Sequence, residues 1–67
     1  MDDKEIVGTV VCDLRPYIEL VYLRTEDGWQ YVFYSDTPGL DLSTVKEGQT
    51  YRCIVTKLGI VKKAELL

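Results

Sequence analysis

The sequence predicts an all-β protein built as one small barrel. Most of its 67 residues fall into five short strand-like runs, separated by glycine, proline and aspartate turns. One irregular stretch, residues 35–49, divides the third run from the fourth. Size is the third observation. A chain of this length buries only roughly 60% of its unfolded surface. Curling the sheet until its edges meet therefore helps most.

The first run, residues 5–14, is rich in β-branched side chains and holds Gly8 in its interior. A strand-interior glycine marks a bulge or a bend, and barrels use such bends so that one strand serves two sides. Arg15-Pro16 ends the run, because proline cannot donate to a ladder and holds the residue before it extended.

Runs two and three, residues 17–25 and 29–34, flank Glu26-Asp27-Gly28, a hairpin signal. A two-residue Asp27-Gly28 loop would pair Glu26 with Trp29. A three-residue loop would pair Thr25 with Trp29 and place Gly28 in the left-handed position of a bulge. The choice matters, since a one-residue slip turns one strand's side chains over. The three-residue loop is preferred because it gathers Val21, Leu23, Trp29, Tyr31 and Phe33 on one apolar face, with Thr25 at its end. Leu20, Tyr22, Arg24, Gln30, Val32 and Tyr34 then form the outer face, and Glu19 is expected at the barrel rim.

Within the irregular stretch, Asp36-Thr37-Pro38-Gly39 is turn chemistry. Residues 40–45 are long enough for one helical turn, and Leu40, Leu42 and Val45 are expected to plug one barrel end. Residues 46–49 turn into run four, residues 50–57. Leu58-Gly59 is read as a two-residue hairpin into run five, residues 60–66. That register puts Tyr51, Cys53, Val55, Ile60, Ala64 and Leu66 inside, and Arg52, Ile54, Thr56, Val61, Lys63 and Glu65 outside. Lys62 falls on the inner face and is expected at the rim, its stem buried and its ammonium in water.

Strand, strand, strand, irregular plug, strand, strand is an order that resembles the OB-fold, a five-stranded Greek-key barrel. The residues that carry the resemblance are Ile6-x-Gly8-x-Val10, the Glu26-Asp27-Gly28 hairpin, and Val45-x-x-Gly48-x-x-Tyr51 at the start of run four. It covers nearly the whole chain. The chain departs from the pattern in reducing the helix between the third and fourth strands to a turn. An SH3-like barrel is the alternative, but such barrels usually carry their long irregular loop between the first two strands. Here only Arg15-Pro16 stands there. The OB-like resemblance implies oligonucleotide, oligosaccharide or protein binding on the face of strands two and three.

Composition excludes several chemistries. The chain has no histidine, so a conventional Ser-His-Asp triad is impossible, and Cys12 and Cys53 have no imidazole partner for a zinc site. No spacing of its acids matches a calcium loop, and Asp36 and Asp41 beside Pro38-Gly39 read as turn residues. The two cysteines read as small core side chains in a reducing cytoplasm, with a cross-strand disulfide as the lesser alternative. The charged N-terminus runs straight into a strand and does not read as a signal peptide, and no apolar run is long enough for a membrane helix. A non-catalytic binding module without cofactor or metal is expected, as a single domain in the cytoplasm.

The strongest constellation is Tyr22 and Arg24, two apart on one strand and so on one face, joined by Tyr34 in the preferred register. Single-stranded RNA or DNA is held by such surfaces, bases stacking on rings while cations follow phosphates. Arg15 in the first loop and Lys57 and Lys63 about the last hairpin are expected to meet phosphates. Against this, the net charge is −3, and tyrosine pairs stabilise sheets without any ligand. The alternative use of the same face, or of an unpaired strand edge, is contact with another protein or with a second copy. Trp29 beside the turn reads as packing rather than as an interface anchor.

Overall fold

The computed structural model describes residues 3–13, 17 and 20–67. The expectations placed on Arg15-Pro16 and Glu19 lie outside the described residues. Five strands, β1 (Lys4–Asp13), β2 (Leu20–Thr25), β3 (Gln30–Tyr34), β4 (Thr50–Val55) and β5 (Val61–Leu66), all pair antiparallel. Their order across the sheet is β3-β2-β1-β4-β5. The fourth strand thus returns beside the first, which is the Greek-key arrangement. The sheet curls strongly into a half-barrel whose outer strands, β3 and β5, approach without hydrogen-bonding to each other.

Strand β1 serves both halves. Residues 4–9 pair with β4 and residues 8–13 with β2, so Gly8 stands opposite both Tyr51 and Thr25. The bulge expected at Gly8 lies three residues on, between Val10 and Cys12. Gly8 is instead a point of close approach: a Cβ there would lie 3.3 Å from the Cβ of Leu23. The bulge leaves Val11 without a β2 partner, while Val10 stays opposite Leu23; the Val10 N–H donates to the Gln49 carbonyl (2.8 Å) and its carbonyl accepts from Gly48 N–H (2.9 Å). These bonds anchor the turn that leads into β4.

The first hairpin has the three-residue loop. Thr25 N–H donates to the Trp29 carbonyl (2.9 Å), Gly28 N–H donates to the Thr25 carbonyl (3.0 Å), and Gly28 is left-handed at φ 89°. Val21, Leu23, Tyr31 and Phe33 face inward as expected and are buried. Trp29 departs from the expectation that it packs: its residue is 65% exposed. It lies one residue before β3, where the pairing ends and no strand covers its ring.

The second hairpin differs from the two-residue reading. Thr56 N–H donates to the Ile60 carbonyl (2.9 Å), Gly59 N–H donates to the Thr56 carbonyl (2.9 Å), and Gly59 is left-handed at φ 84°. The loop is therefore residues 57–59, built like the first one. Val55 pairs with Val61, which turns inward and is 4% exposed, while Ile60 turns outward. A bulge at Lys62 then shifts the register by one, so that Cys53 meets Ala64 and Tyr51 meets Leu66, as the shorter loop would have had it, but Leu66, expected inside, is exposed at the end of the edge strand. Lys62 is exposed, not inside, and its ammonium pairs with Asp3 (2.7 Å).

The inner face closes over Phe33, whose ring meets Tyr51 edge-on at 5.1 Å and 86°. The two rings come from β3 and β4, opposite sides of the curl, and such a contact adds roughly 0.5–1.5 kcal/mol beyond area burial. Leu42 and Val45 are buried against this core and Leu40 partly so, about a 3-10 turn at Leu42–Thr44. The expected plug is therefore present.

Two stability outcomes follow from this packing. Phe33→Ala, measured by urea unfolding, should cost about 3–5 kcal/mol, enough to leave so small a chain largely unfolded. Gly59→Ala should cost about 1–2 kcal/mol, because a side chain must take up the left-handed backbone.

Candidate functional site

The outer face of β2 and β3 is assembled by cross-strand pairs. Leu20 stands opposite Tyr34, Tyr22 opposite Val32 and Arg24 opposite Gln30. All six alternate with the buried inner residues, as a two-residue period requires. Tyr22, Arg24 and Tyr34 therefore share one surface, with Arg24 and Tyr34 exposed and Tyr22 half-buried. Thr9 of β1 extends this surface, being paired with Arg24.

Beyond β3 the surface drops into a groove of about 450 Å³, whose far wall is the β4–β5 hairpin. Gln30, Val32 and Tyr34 form the near wall, Asp36, Thr37 and Pro38 one end, and Leu58 to Lys62 the far side. The last hairpin thus flanks the β3 surface, as expected. The expected residues are not all brought together, however. Lys57 is exposed in the hairpin loop. Lys63 lies opposite Ile54 on the outer face of β4 and β5, in a depression shared with Glu5, Arg52 and Glu65. Arg15 lies outside the described residues.

The charges on the β4–β5 face neutralise one another. Arg52 bridges Glu5 (3.8 Å) and Glu65 (3.5 Å) at half-exposed positions. Such pairs contribute at most about 1 kcal/mol each. Their consequence here is to leave no surplus of positive charge on that face. Arg24 forms no ion pair among the described residues.

Sequence reasoning missed two residues of the groove, Leu58 and Ile60, which are 84% and 58% exposed. A signal for them exists. Thr25-Glu26-Asp27-Gly28 and Thr56-Lys57-Leu58-Gly59 share one spacing, and both threonines hold their loops by the side chain. Thr56 Oγ1 accepts from Leu58 N–H (3.2 Å) and Ile60 N–H (3.1 Å), and Thr25 Oγ1 accepts from Trp29 N–H (3.2 Å). Equal spacing meant equal loops, and the three-residue loop turns Ile60 out.

A second depression, of about 550 Å³, lies between the start of β1 and the first hairpin and is bordered by Lys4, Glu26, Asp27 and Trp29. Asp27 is committed to its own turn. The Thr25 hydroxyl donates to its carboxylate, and Trp29 N–H approaches at 3.4 Å. The hydroxyl first, and then the amide, hold its acidity below the ordinary carboxylate range. Asp41 is likewise engaged: Ser43 Oγ (2.6 Å) and then Ser43 N–H (3.1 Å) lower its pKa. Asp36 and Asp41 therefore make no shared carboxylate site. Among the described residues no group of three or more acids or cysteines could hold a metal ion. Cys53 is buried and Cys12 half-buried, both with free thiols, and burial pushes the Cys53 pKa up to about 11. No helix among the described residues is long and apolar enough to cross a membrane. Comparison with known family models, with curated proteins and with solved structures finds no match.

Two measurements check these assignments. In the native protein Cys53 should resist alkylation by iodoacetamide near neutral pH while both thiols react in denaturant, as counted by mass spectrometry. Asp27 has a lowered folded pKa, so its stabilising contribution is complete above its unfolded pKa of about 3.9 and is lost as pH falls through the folded value. The stability gap between wild type and Asp27→Asn, from urea unfolding, should stay constant down to about pH 5 and narrow at lower pH.

Proposed function

We propose that this chain is a non-catalytic binding module whose partner is a protein segment lying along β3 in the groove beside the β4–β5 hairpin. The observation that carries this reading is the chemistry of the groove walls. Val32, Tyr34, Pro38, Leu58 and Ile60 supply apolar surface. The one cation in the wall, Lys62, is already paired with Asp3. Tyrosine beside aliphatic side chains, poor in free charge, is the composition of a protein-contact core. Phosphates need the opposite.

A second reading keeps one specific observation. Tyr22, Arg24, Gln30 and Tyr34 share the outer face of β2 and β3, an arrangement that could stack the bases of single-stranded RNA or DNA. The strand order supports an OB-like relationship, in which this face is the usual binding surface. Lys63 does not add to it, because it lies beside Glu5, Arg52 and Glu65. Arg24 and Lys57 remain as its cations. Self-association through the same groove is the homotypic form of the first reading. Two free thiols fit a reducing, cytoplasmic setting.

Isotope-labelled protein should be titrated at low salt with mixed-sequence single-stranded RNA and DNA, and separately with a capped Thr-Val-Thr-Val-Thr-Val peptide, following backbone amide shifts. The protein-binding reading expects the peptide to shift Tyr34, Leu58 and Ile60, with little response to added salt. Oligonucleotide-induced shifts at Tyr22, Arg24 and Tyr34 that salt reverses would replace it with the nucleic-acid reading.

A further inference from the structure

The two outer strands of the half-barrel are treated in opposite ways. An edge strand shows unpaired N–H and C=O groups and is a template for pairing with another chain, so proteins blunt it with bulges, lysines or prolines. Strand β5 carries such devices: a bulge at Lys62, followed by Lys63 and Glu65. Strand β3 carries none. Its sequence is Gln-Tyr-Val-Phe-Tyr, without charge, proline, glycine or bulge.

The hairpin bonds fix which β3 groups are free. Thr25 and Trp29 form a hydrogen-bonded pair, and antiparallel ladders alternate, so Tyr31 and Phe33 exchange bonds with β2. The N–H and C=O groups of Gln30, Val32 and Tyr34 therefore point away from β2, toward the groove. Those of Tyr34 are taken: its N–H donates to the buried Thr37 hydroxyl (2.8 Å), and its carbonyl accepts from Thr37 N–H (3.2 Å). Thr37 closes that end of the edge. Gln30 and Val32 keep theirs unpaired among the described residues, and both residues line the groove.

We propose that β3 accepts an added strand here: an uncharged, extended polypeptide segment, apolar at alternate positions, hydrogen-bonded to the main chain of Gln30 and Val32. This deepens the protein-binding reading and rests on it. Only an extended polypeptide offers donors and acceptors at the spacing of a strand edge. Alternate side chains of such a segment would face Leu58 and Ile60 across the groove. The absence of charge follows from charge matching along the free edge. β3 has none, Lys62 is neutralised by Asp3, and Asp36 stands beyond Tyr34 at the end that Thr37 closes, away from Gln30 and Val32.

The test is amide hydrogen exchange of the full chain, read residue by residue, with and without the capped Thr-Val-Thr-Val-Thr-Val peptide. Exchange at Gln30 and Val32 should slow at least tenfold with peptide, while Tyr31 and Phe33, already bonded to β2, change little. Val32→Lys, which keeps the backbone but places a charge on the edge, should weaken peptide binding at least tenfold. Val32→Pro should abolish the protection at Gln30, and its missing N–H leaves the β2 ladder intact. Peptide shifts at Leu58 and Ile60 without protection of Gln30 and Val32 would overturn strand addition while leaving groove binding in place. No peptide response at millimolar concentration, or a response to the oligonucleotides alone, would overturn both.

Discussion

The shared use of strand β1 is the constraint on which the rest of the molecule depends. Ten residues must pair with β4 along one half and with β2 along the other, with Gly8 opposite partners on both sides. A flat strand in a flat sheet could do this. The result would expose one whole face, which a chain of this size cannot afford. The curl brings β3 and β4 near enough for Phe33 to meet Tyr51, and an inner face only one side chain deep becomes a core. Gly8 permits it by letting Leu23 press against the strand, and the bulge after Val10 turns the chain to receive the Gly48-Gln49 turn.

The same curl leaves a seam. Strands β3 and β5 approach but do not bond, so the fold ends in two edges facing one groove. One edge is kinked and charged, the other neutral and straight. Strand β3 buries Tyr31 and Phe33, whereas β5 buries Val61 and, in part, Ala64. A requirement for an available β3 edge would account for the asymmetry between the edges. The arrangement also explains why the groove offers so little free charge: Arg52 is engaged by Glu5 and Glu65 on the β4–β5 face, Asp3 neutralises Lys62, and Asp36 stands at the groove's closed end.

Much of the fold was legible in alternation. Val21, Leu23, Tyr31 and Phe33 were readable as core because one register alone gathered them on a single face, and the three-residue loop followed from that. The plug was readable because Leu40, Leu42 and Val45 are apolar side chains in an otherwise polar stretch. The second hairpin was misread for a physical reason. Ile60 and Val61 are both apolar, so alternation does not say which of them turns inward. A bulge at Lys62 then restores the parity that the longer loop disturbs, so the distal residues fit either loop equally well. Trp29 was misread because a side chain's place on the inner face does not ensure that anything lies above it. At the end of a strand the barrel is open.

The sequence by itself determined the strand count, the places of the two glycine-bearing turns and the core residues of β2 and β3, because each depends on chain-local chemistry: period-two alternation, left-handed glycines and turn residues. It also determined that Tyr22 and Arg24 share a surface, because residues two apart on a strand must. Only the tertiary structure decided what lies beside that surface. Leu58 and Ile60 come to face Val32 and Tyr34 through the curl of five strands, and Lys63 goes beside Glu5 of β1 and Glu65 of β5. Contacts between elements far apart in the chain depend on how the whole sheet bends, and no local pattern encodes that bend.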